Sequence, residues 1–366
     1  MPVTVGVFLQ PGIIKDSKGN VVRYNRSNEF DMPDGSFASF LEKELLPQVE
    51  GFKLPDGREV KLSAQAGDRM IFGLSSGGIC AFNAAWHRPD MFSRVFSGVG
   101  TFVAMRGGND IQAIVRKHEP KPLRIFLQDG TQDVWNALFG HWYEGNRMLA
   151  TALDFAGYDA DYDWSDCKHG VSQATKIFAK VMEWMWRDYP EPIKPGKTQN
   201  DLLAQLLPED QGDWKWLTAD LPTGCGWLGV NEAVYPDSSF VVKTHEGSNC
   251  LWQHTIAPDG TLENGQRFYW LHSYDNSQLA IGGMEFASCG NLYVVTSAGL
   301  QILDQNGRVR GILSLPTTDP EIIKKTTLCI NDGSILLVMT KGNVALRKLN
   351  IKPAQARVRP KSQGQG

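Results

Sequence analysis

Apolar runs of four to six residues alternate with helix-length amphipathic stretches through the first half of the chain, and that alternation stops near residue 190. Arg69-Met70-Ile71-Phe72 reads as a strand, and a helix-compatible segment, roughly Gly78 to His87, follows at once. Arg94 to Val99 and Leu123 to Leu127 read as buried strands, Tyr143 to Ala156 as a helix capped by Gly157, and Asp159 to Trp164 as a strand. A last amphipathic helix, Val171 to Trp186, closes the unit. Repeated strand–helix units predict a parallel sheet covered by helices on both faces, which carries its chemistry on loops at one edge.

Beyond Tyr189-Pro190-Glu191-Pro192-Ile193-Lys194-Pro195-Gly196 the pattern changes to short strands separated by Gly, Asp and Asn turns. Asp237–Thr244, Cys289–Thr296 and Asp332–Thr340 resemble one another, and further apolar strands follow, as in Gly299–Leu303 and Gly342–Leu346. A recurrence every ~40–50 residues suggests β-propeller blades. The expected organisation is an α/β domain over residues 1–188, a Pro-rich linker over 189–204, an all-β domain over 205–351 and a disordered tail over 352–366.

Candidate chemistry starts at Gly73-Leu74-Ser75-Ser76-Gly77. G-x-S-x-G between a strand and a helix is the form of a nucleophile elbow, which lifts a serine hydroxyl over the sheet edge. Gly73 and Gly77 fit the close approach of strand and helix there. A serine hydroxyl needs a base, and the base needs a carboxylate to hold it. Both follow in the order Ser, Asp, His that this fold uses. Asp129 and Asp133 compete after the third strand, and Asp133 is preferred because Asp129 precedes Gly130 as a turn-forming residue. His169, in the loop after the last strand, is the expected base, with His141 as the alternative. The amide of Ser76 is the expected oxyanion donor.

On these residues the first ~190 positions resemble an α/β-hydrolase esterase family that includes enterochelin esterase-like and feruloyl esterase-like enzymes. The matching segments are Arg23–Asp31, the elbow with Gly78-Ile79-Cys80-Ala81, Gly130-Thr131-Gln132-Asp133 and His169. The resemblance implies hydrolysis of a small-molecule or glycan-linked carboxylic ester through an acyl-enzyme, with no cofactor, and it maps the acid to Asp133. Arg26 and Glu29 are expected to form a buried ion pair supporting the loop near the site. With Pro2–Leu9 read as a strand, about five sheet strands precede residue 165. The family has more, among them a central strand whose trailing loop supplies a second oxyanion amide, so the expectation is an N-terminally incomplete reading frame. An inactive, binding-only remnant is the alternative.

The second half is similar to the SMP-30/gluconolactonase family, from Asp259-Gly260-Thr261-Leu262 through Tyr269–His272 to Asp304–Val309. That family implies six blades and a divalent metal. Here about three blades are expected, and Gly282 stands where the family has an Asp ligand, so no metal site is assigned and a metal-dependent lactonase is the weaker alternative.

A net charge of −3 and a pI near 6.2 argue against nucleic acid or an anionic membrane as the main partner. No apolar run reaches the length of a membrane span. No basic stretch with an apolar core at Met1 reads as a signal peptide, and no compartment or oligomeric state is assigned. Cys80, Cys167, Cys225, Cys250, Cys289 and Cys329 lack metal-binding or redox spacing and read as separate thiols.

Overall fold

The computed structural model describes residues 4–210, 212–217, 231–339 and 343–355. The chain divides into two compact units, one of Met1–Arg116 and Pro120–Thr198, the other of Lys117–Glu119 and Gln199–Gly366.

The first unit opens with an antiparallel hairpin, β1 (Ile13–Lys15) and β2 (Val21–Tyr24). Short helices α1 (Arg26–Phe30), α2 (Ser36–Phe40) and α3 (Leu46–Glu50) follow, the last two joined by a π-helical turn, Leu41–Leu45. The centre is a four-stranded parallel sheet of β3 (Met70–Leu74), β4 (Arg94–Gly98), β5 (Arg124–Gln132) and β8 (Asp159–Lys168), in that spatial order. Between β5 and β8 lies a two-residue-strand hairpin, β6 (Trp135–Asn136) and β7 (Gly140–His141). The crossovers are α4 (Ser76–His87), α5 (Ile111–Lys117) and α6 (Trp142–Ala156), and α7 (Ser172–Met185) follows β8.

Side chains alternate across a strand, and β4 shows which helix covers which face. Phe96 is buried with Ala174, Val181 and Met185 of α7. On the opposite face Ser97 lies so close to α4 that a Cβ on Gly78 would come within 2.7 Å of its hydroxyl. The expected helix-covered parallel sheet is present, with Gly157 capping α6 in the left-handed region at φ 78°.

Two expectations about this unit are corrected. Thr4–Leu9 forms no strand, and Phe8 is 96% exposed. β-Propensity alone does not make a strand; among the described residues four strands, not about five, make the parallel sheet, and β3 is its edge. The stretch expected to be a linker, 189–204, contains the unit boundary, Thr198/Gln199, and in it a Cβ on Gly196 would sit 1.6 Å from the Gly157 carbonyl oxygen, so its backbone packs against the end of α6. Its last residues begin the second unit, where α8 (Asp201–Leu206) is capped by the Asn200 side chain accepting from the Leu202 and Leu203 amides.

The second unit holds three antiparallel four-stranded sheets. The first runs β10 (Glu232–Val234), β11 (Phe240–Lys243), β12 (Cys250–Ile256), β13 (Leu262–Trp270). The second runs β14 (Ile281–Phe286), β15 (Leu292–Thr296), β16 (Gly299–Leu303), β17 (Val309–Leu313). In the third, β18 (Thr327–Asn331), β19 (Ser334–Val338) and β20 (Val344–Lys348) are joined by β9 (Lys215–Leu217), from before the first sheet. A short helix, α9 (Pro320–Ile323), precedes β18. The three similar segments of the sequence are β11, β15 and β19, the second strand of each sheet. Among the described residues each sheet is open in its strand order, with no closed barrel. Residues 352–355, expected in a disordered tail, are packed: Ser288 N–H donates to the Lys352 carbonyl, and Ala354 is buried. The rest of that tail and Cys225 lie outside the described residues.

Candidate active site

Ser75 joins β3 to α4 with φ 56° and ψ −122°, a left-handed backbone that is costly for a residue with a side chain. The strain is held in place by hydrogen bonds: Ser75 N–H donates to the Gly98 carbonyl at 2.9 Å, and the Ser75 carbonyl accepts from Gly78 at 2.9 Å and Thr101 at 3.2 Å. The turn is so tight that a Cβ on Gly73 would stand 2.0 Å from the Gly77 carbonyl oxygen. Gly77 differs from the expectation, because a Cβ there would meet nothing within 4 Å. Gly73→Ala is therefore expected to destabilise the unit by about 1–3 kcal/mol through a backbone collision. Gly77→Ala is expected to leave the thermal midpoint within a degree or two, and scanning calorimetry of both variants checks the contrast.

The loops after β5 and β8 bring the other two residues to the same edge. His169 Nδ1 lies 2.7 Å from Asp133 Oδ1, and His169 Nε2 lies 3.0 Å from Ser75 Oγ. A carboxylate on Nδ1 keeps the ring proton there and leaves Nε2 as the acceptor for the Ser75 hydroxyl. The Asp133 side chain is fully buried and also accepts from the Val134 amide. Burial pushes its carboxyl pKa up, but the His169 hydrogen bond, the nearness of Asp129 and the Val134 amide outweigh burial and hold it below the usual carboxylate range. The Trp142 ring stands edge-on to His169, with centroids 6.2 Å apart. Ser76, buried, opens the first turn of α4, where amides lack intrahelical acceptors and favour negative charge. His141 lies in β7 against Tyr143, and the imidazole on Ser75 is that of His169.

Arg26 and Glu29 do not form the expected buried pair. Arg26 is exposed, and the Glu29 carboxylate accepts from the Gly12 amide at 2.7 Å. Both sit on the five-residue α1, none of whose residues is buried.

Three neighbours escaped the sequence reading. Thr101 Oγ1 lies 3.4 Å from Ser75 Oγ and accepts from Trp142 Nε1. Asn146 donates to the Gly100 carbonyl at 2.8 Å and to Asp129 Oδ2 at 2.7 Å. A polar residue in register with Leu149 and Leu153 on the apolar stripe of α6 was the available signal for it. Asp31, wholly buried, has its carboxyl pKa raised by burial against opposing contacts from Ser76 and Ser27.

This geometry sits within a recognisable sequence segment. Residues 14–172 match the family described as Putative esterase. Among solved structures, the chain is similar to enterochelin esterase from Shigella flexneri (21% identity, 44% of this chain, 39% of that chain, TM-score 0.35). It is also similar to a ferulic acid esterase (18% identity, 41% and 60%, TM-score 0.30). A third similarity is to a gluconolactonase from Xanthomonas campestris (19% identity, 39% and 43%, TM-score 0.26). The chain spans about two fifths of the length of the enterochelin esterase. No curated protein matches it. Ser75, Asp133 and His169 all lie within the matched segment, residues 14–172.

In the second unit, a Cβ on Gly282 would lie 2.3 Å from the Ile323 carbonyl oxygen, so no carboxylate fits at that position. Among the described residues no group of three or more His, Cys, Asp or Glu is arranged to hold a metal ion. Among them, too, no helix is long and apolar enough to cross a membrane.

Proposed function

We propose that the first unit is a serine carboxylic ester hydrolase working through an acyl-enzyme. The observation that carries this reading is the continuous hydrogen-bonded line from Ser75 Oγ through His169 to Asp133, set on a turn whose strained φ exposes the serine. In this mechanism Ser75 Oγ attacks the ester carbonyl as His169 Nε2 takes its proton. The Ser76 amide donates to the developing oxyanion, and Asp133 holds the ring tautomer and stabilises the imidazolium. His169 then protonates the leaving alkoxide, and water enters by the reverse route to release the acid. The substrate class is a small-molecule or glycan-linked ester, with no cofactor. For the second unit we propose an incomplete, three-bladed propeller-like domain with a binding or structural role, on the strength of its three repeated four-stranded sheets.

A fluorophosphonate probe tests the esterase reading, because it reports an activated serine without a known substrate. Labelling is expected at Ser75, located by peptide mass spectrometry, and is expected to vanish in His169→Ala. A folded chain that takes no label at Ser75 would overturn the proposal.

A further inference from the structure

Two carboxyl groups, not one, stand behind His169. Asp133 Oδ1 receives the imidazole and the Val134 amide, whereas Asp133 Oδ2 is buried and receives no N–H or hydroxyl. Asp129, on β5, is also completely buried. Its Oδ1 accepts from the Gly130 amide at 2.6 Å and its Oδ2 from Asn146 Nδ2 at 2.7 Å. The side chains of Asp129 and Asp133 lie within hydrogen-bonding reach of each other. Two ionised carboxylates this close, away from water, repel strongly, and a single proton between them removes the repulsion. Asp133 is the one favoured as the anion, because the imidazole donates to it. Asp129 has only neutral donors.

The surroundings agree. α6 presents Asn146 and Trp142, and the loop after β4 presents the Gly100 carbonyl, which Asn146 also holds. From β8, Cys167 lies against Gly130, and its sulfur takes hydrogen bonds from Gln128 and Ser165. His169 faces the pair only through Asp133. Burial first, then the side-chain contact with Asp133 and its charge, push the Asp129 carboxyl above the usual range, against the Gly130 and Asn146 donors.

We infer that Asp129 is a positioning residue that remains a neutral carboxylic acid at working pH and donates its proton to Asp133 Oδ2, fixing the carboxylate that orients His169. This deepens the esterase reading and rests on it. The donated bond gives Asp133 a second fixed contact, so the carboxylate cannot rotate away from the imidazole as Ser75 reacts. It also keeps a second negative charge out of the pocket.

The test compares Asp129→Asn, which keeps a neutral donor of the same shape, with Asp129→Ala, which removes it. Asp129→Asn is expected to retain the fluorophosphonate labelling rate within about threefold. Asp129→Ala is expected to lower the maximal labelling rate by about ten- to a hundredfold, as for loss of a hydrogen bond to a charged group, with half-saturation by the probe unchanged. A second readout is independent of activity. The unfolded state ionises Asp129 above about pH 4, while the folded state keeps the proton, so the wild type loses stability as pH rises and the Asn variant does not. The thermal midpoint of Asp129→Asn relative to wild type is therefore expected to climb steadily from pH 5 to 8.5. If Asp129→Asn labels as slowly as Asp129→Ala and its thermal margin is flat with pH, Asp129 acts as an ionised group and the proposal is overturned. Should Asp129→Ala fail to fold, the Asn variant alone decides. A wild-type chain that takes no label would sink the esterase reading, whereas the pH-dependent thermal margin would still report the protonation of Asp129.

Discussion

Ser75→Ala is expected to lower turnover of an activated ester such as p-nitrophenyl acetate by about 10⁶-fold, with little change in the thermal midpoint. The loss is expected to be that large because in the proposed mechanism Ser75, His169 and Asp133 act as one unit. With the hydroxyl gone, His169 has no nucleophile to activate, and what remains is the Ser76 amide and whatever binding the pocket supplies. Stability should hold because alanine meets the same backbone strain as serine at φ 56°. Ser75→Gly should be as inactive but slightly more stable, since glycine adopts that backbone freely. Steady-state kinetics and calorimetry on the two variants check this pair of results. Residual turnover above about one per cent in Ser75→Ala would place the chemistry elsewhere.

The second large effect lies in the second unit. Arg347 and Glu119 form a bidentate pair with side chains only 3% and 14% exposed. Glu119 also accepts from the Ser314 amide and hydroxyl, and Arg347 donates to the Gly212 carbonyl. Arg347→Met is expected to destabilise this unit by about 3–5 kcal/mol, because it strands a buried carboxylate. Burial alone would raise the Glu119 pKa, but Arg347 and then Ser314 outweigh it, so the folded pKa is lowered. A lowered carboxyl pKa contributes stability above the unfolded value, near 4.5, and that contribution is lost as pH falls through the folded value. The deficit of Arg347→Met should therefore be full at pH 7 and shrink towards pH 4, where the stranded Glu119 takes up a proton. Adding Glu119→Gln should recover part of the loss at neutral pH. Denaturant melts at pH 7 and pH 4 decide the matter, and an equal deficit at both would show that the pair is not electrostatically coupled.

The parts legible in the chain were those with local causes. The strand–turn–helix at Ser75 follows from an apolar run, Gly73 at the close approach and a helix-compatible segment after it. The α6 stop follows from Gly157. The order Ser75, Asp133, His169 was readable because each residue follows its own strand, and parallel strands deliver their trailing loops to one edge. The repeat in the second half was readable because β11, β15 and β19 carry the same short pattern.

Other features depended on which groups meet, and residue types alone do not settle that. Thr4–Leu9 has the composition of a strand yet forms none. Arg26 and Glu29 have opposite charges but no burial to enforce the pair, while Arg347 and Glu119, far apart in sequence, are buried together. β9 pairs with β20 across more than a hundred residues, which no local pattern encodes. Asp129 read as a turn former and does hold the Gly130 amide, yet its closeness to Asp133 depends on how β5 bends into its trailing loop. By itself, then, the sequence determined the elements, the elbow and the order of the reactive residues, because backbone propensity, glycine freedom and the strand–helix period act over a few residues. Only the tertiary structure decided which charges are buried, which edges pair and which carboxyl holds the proton, because desolvation and long-range pairing arise only where distant segments meet.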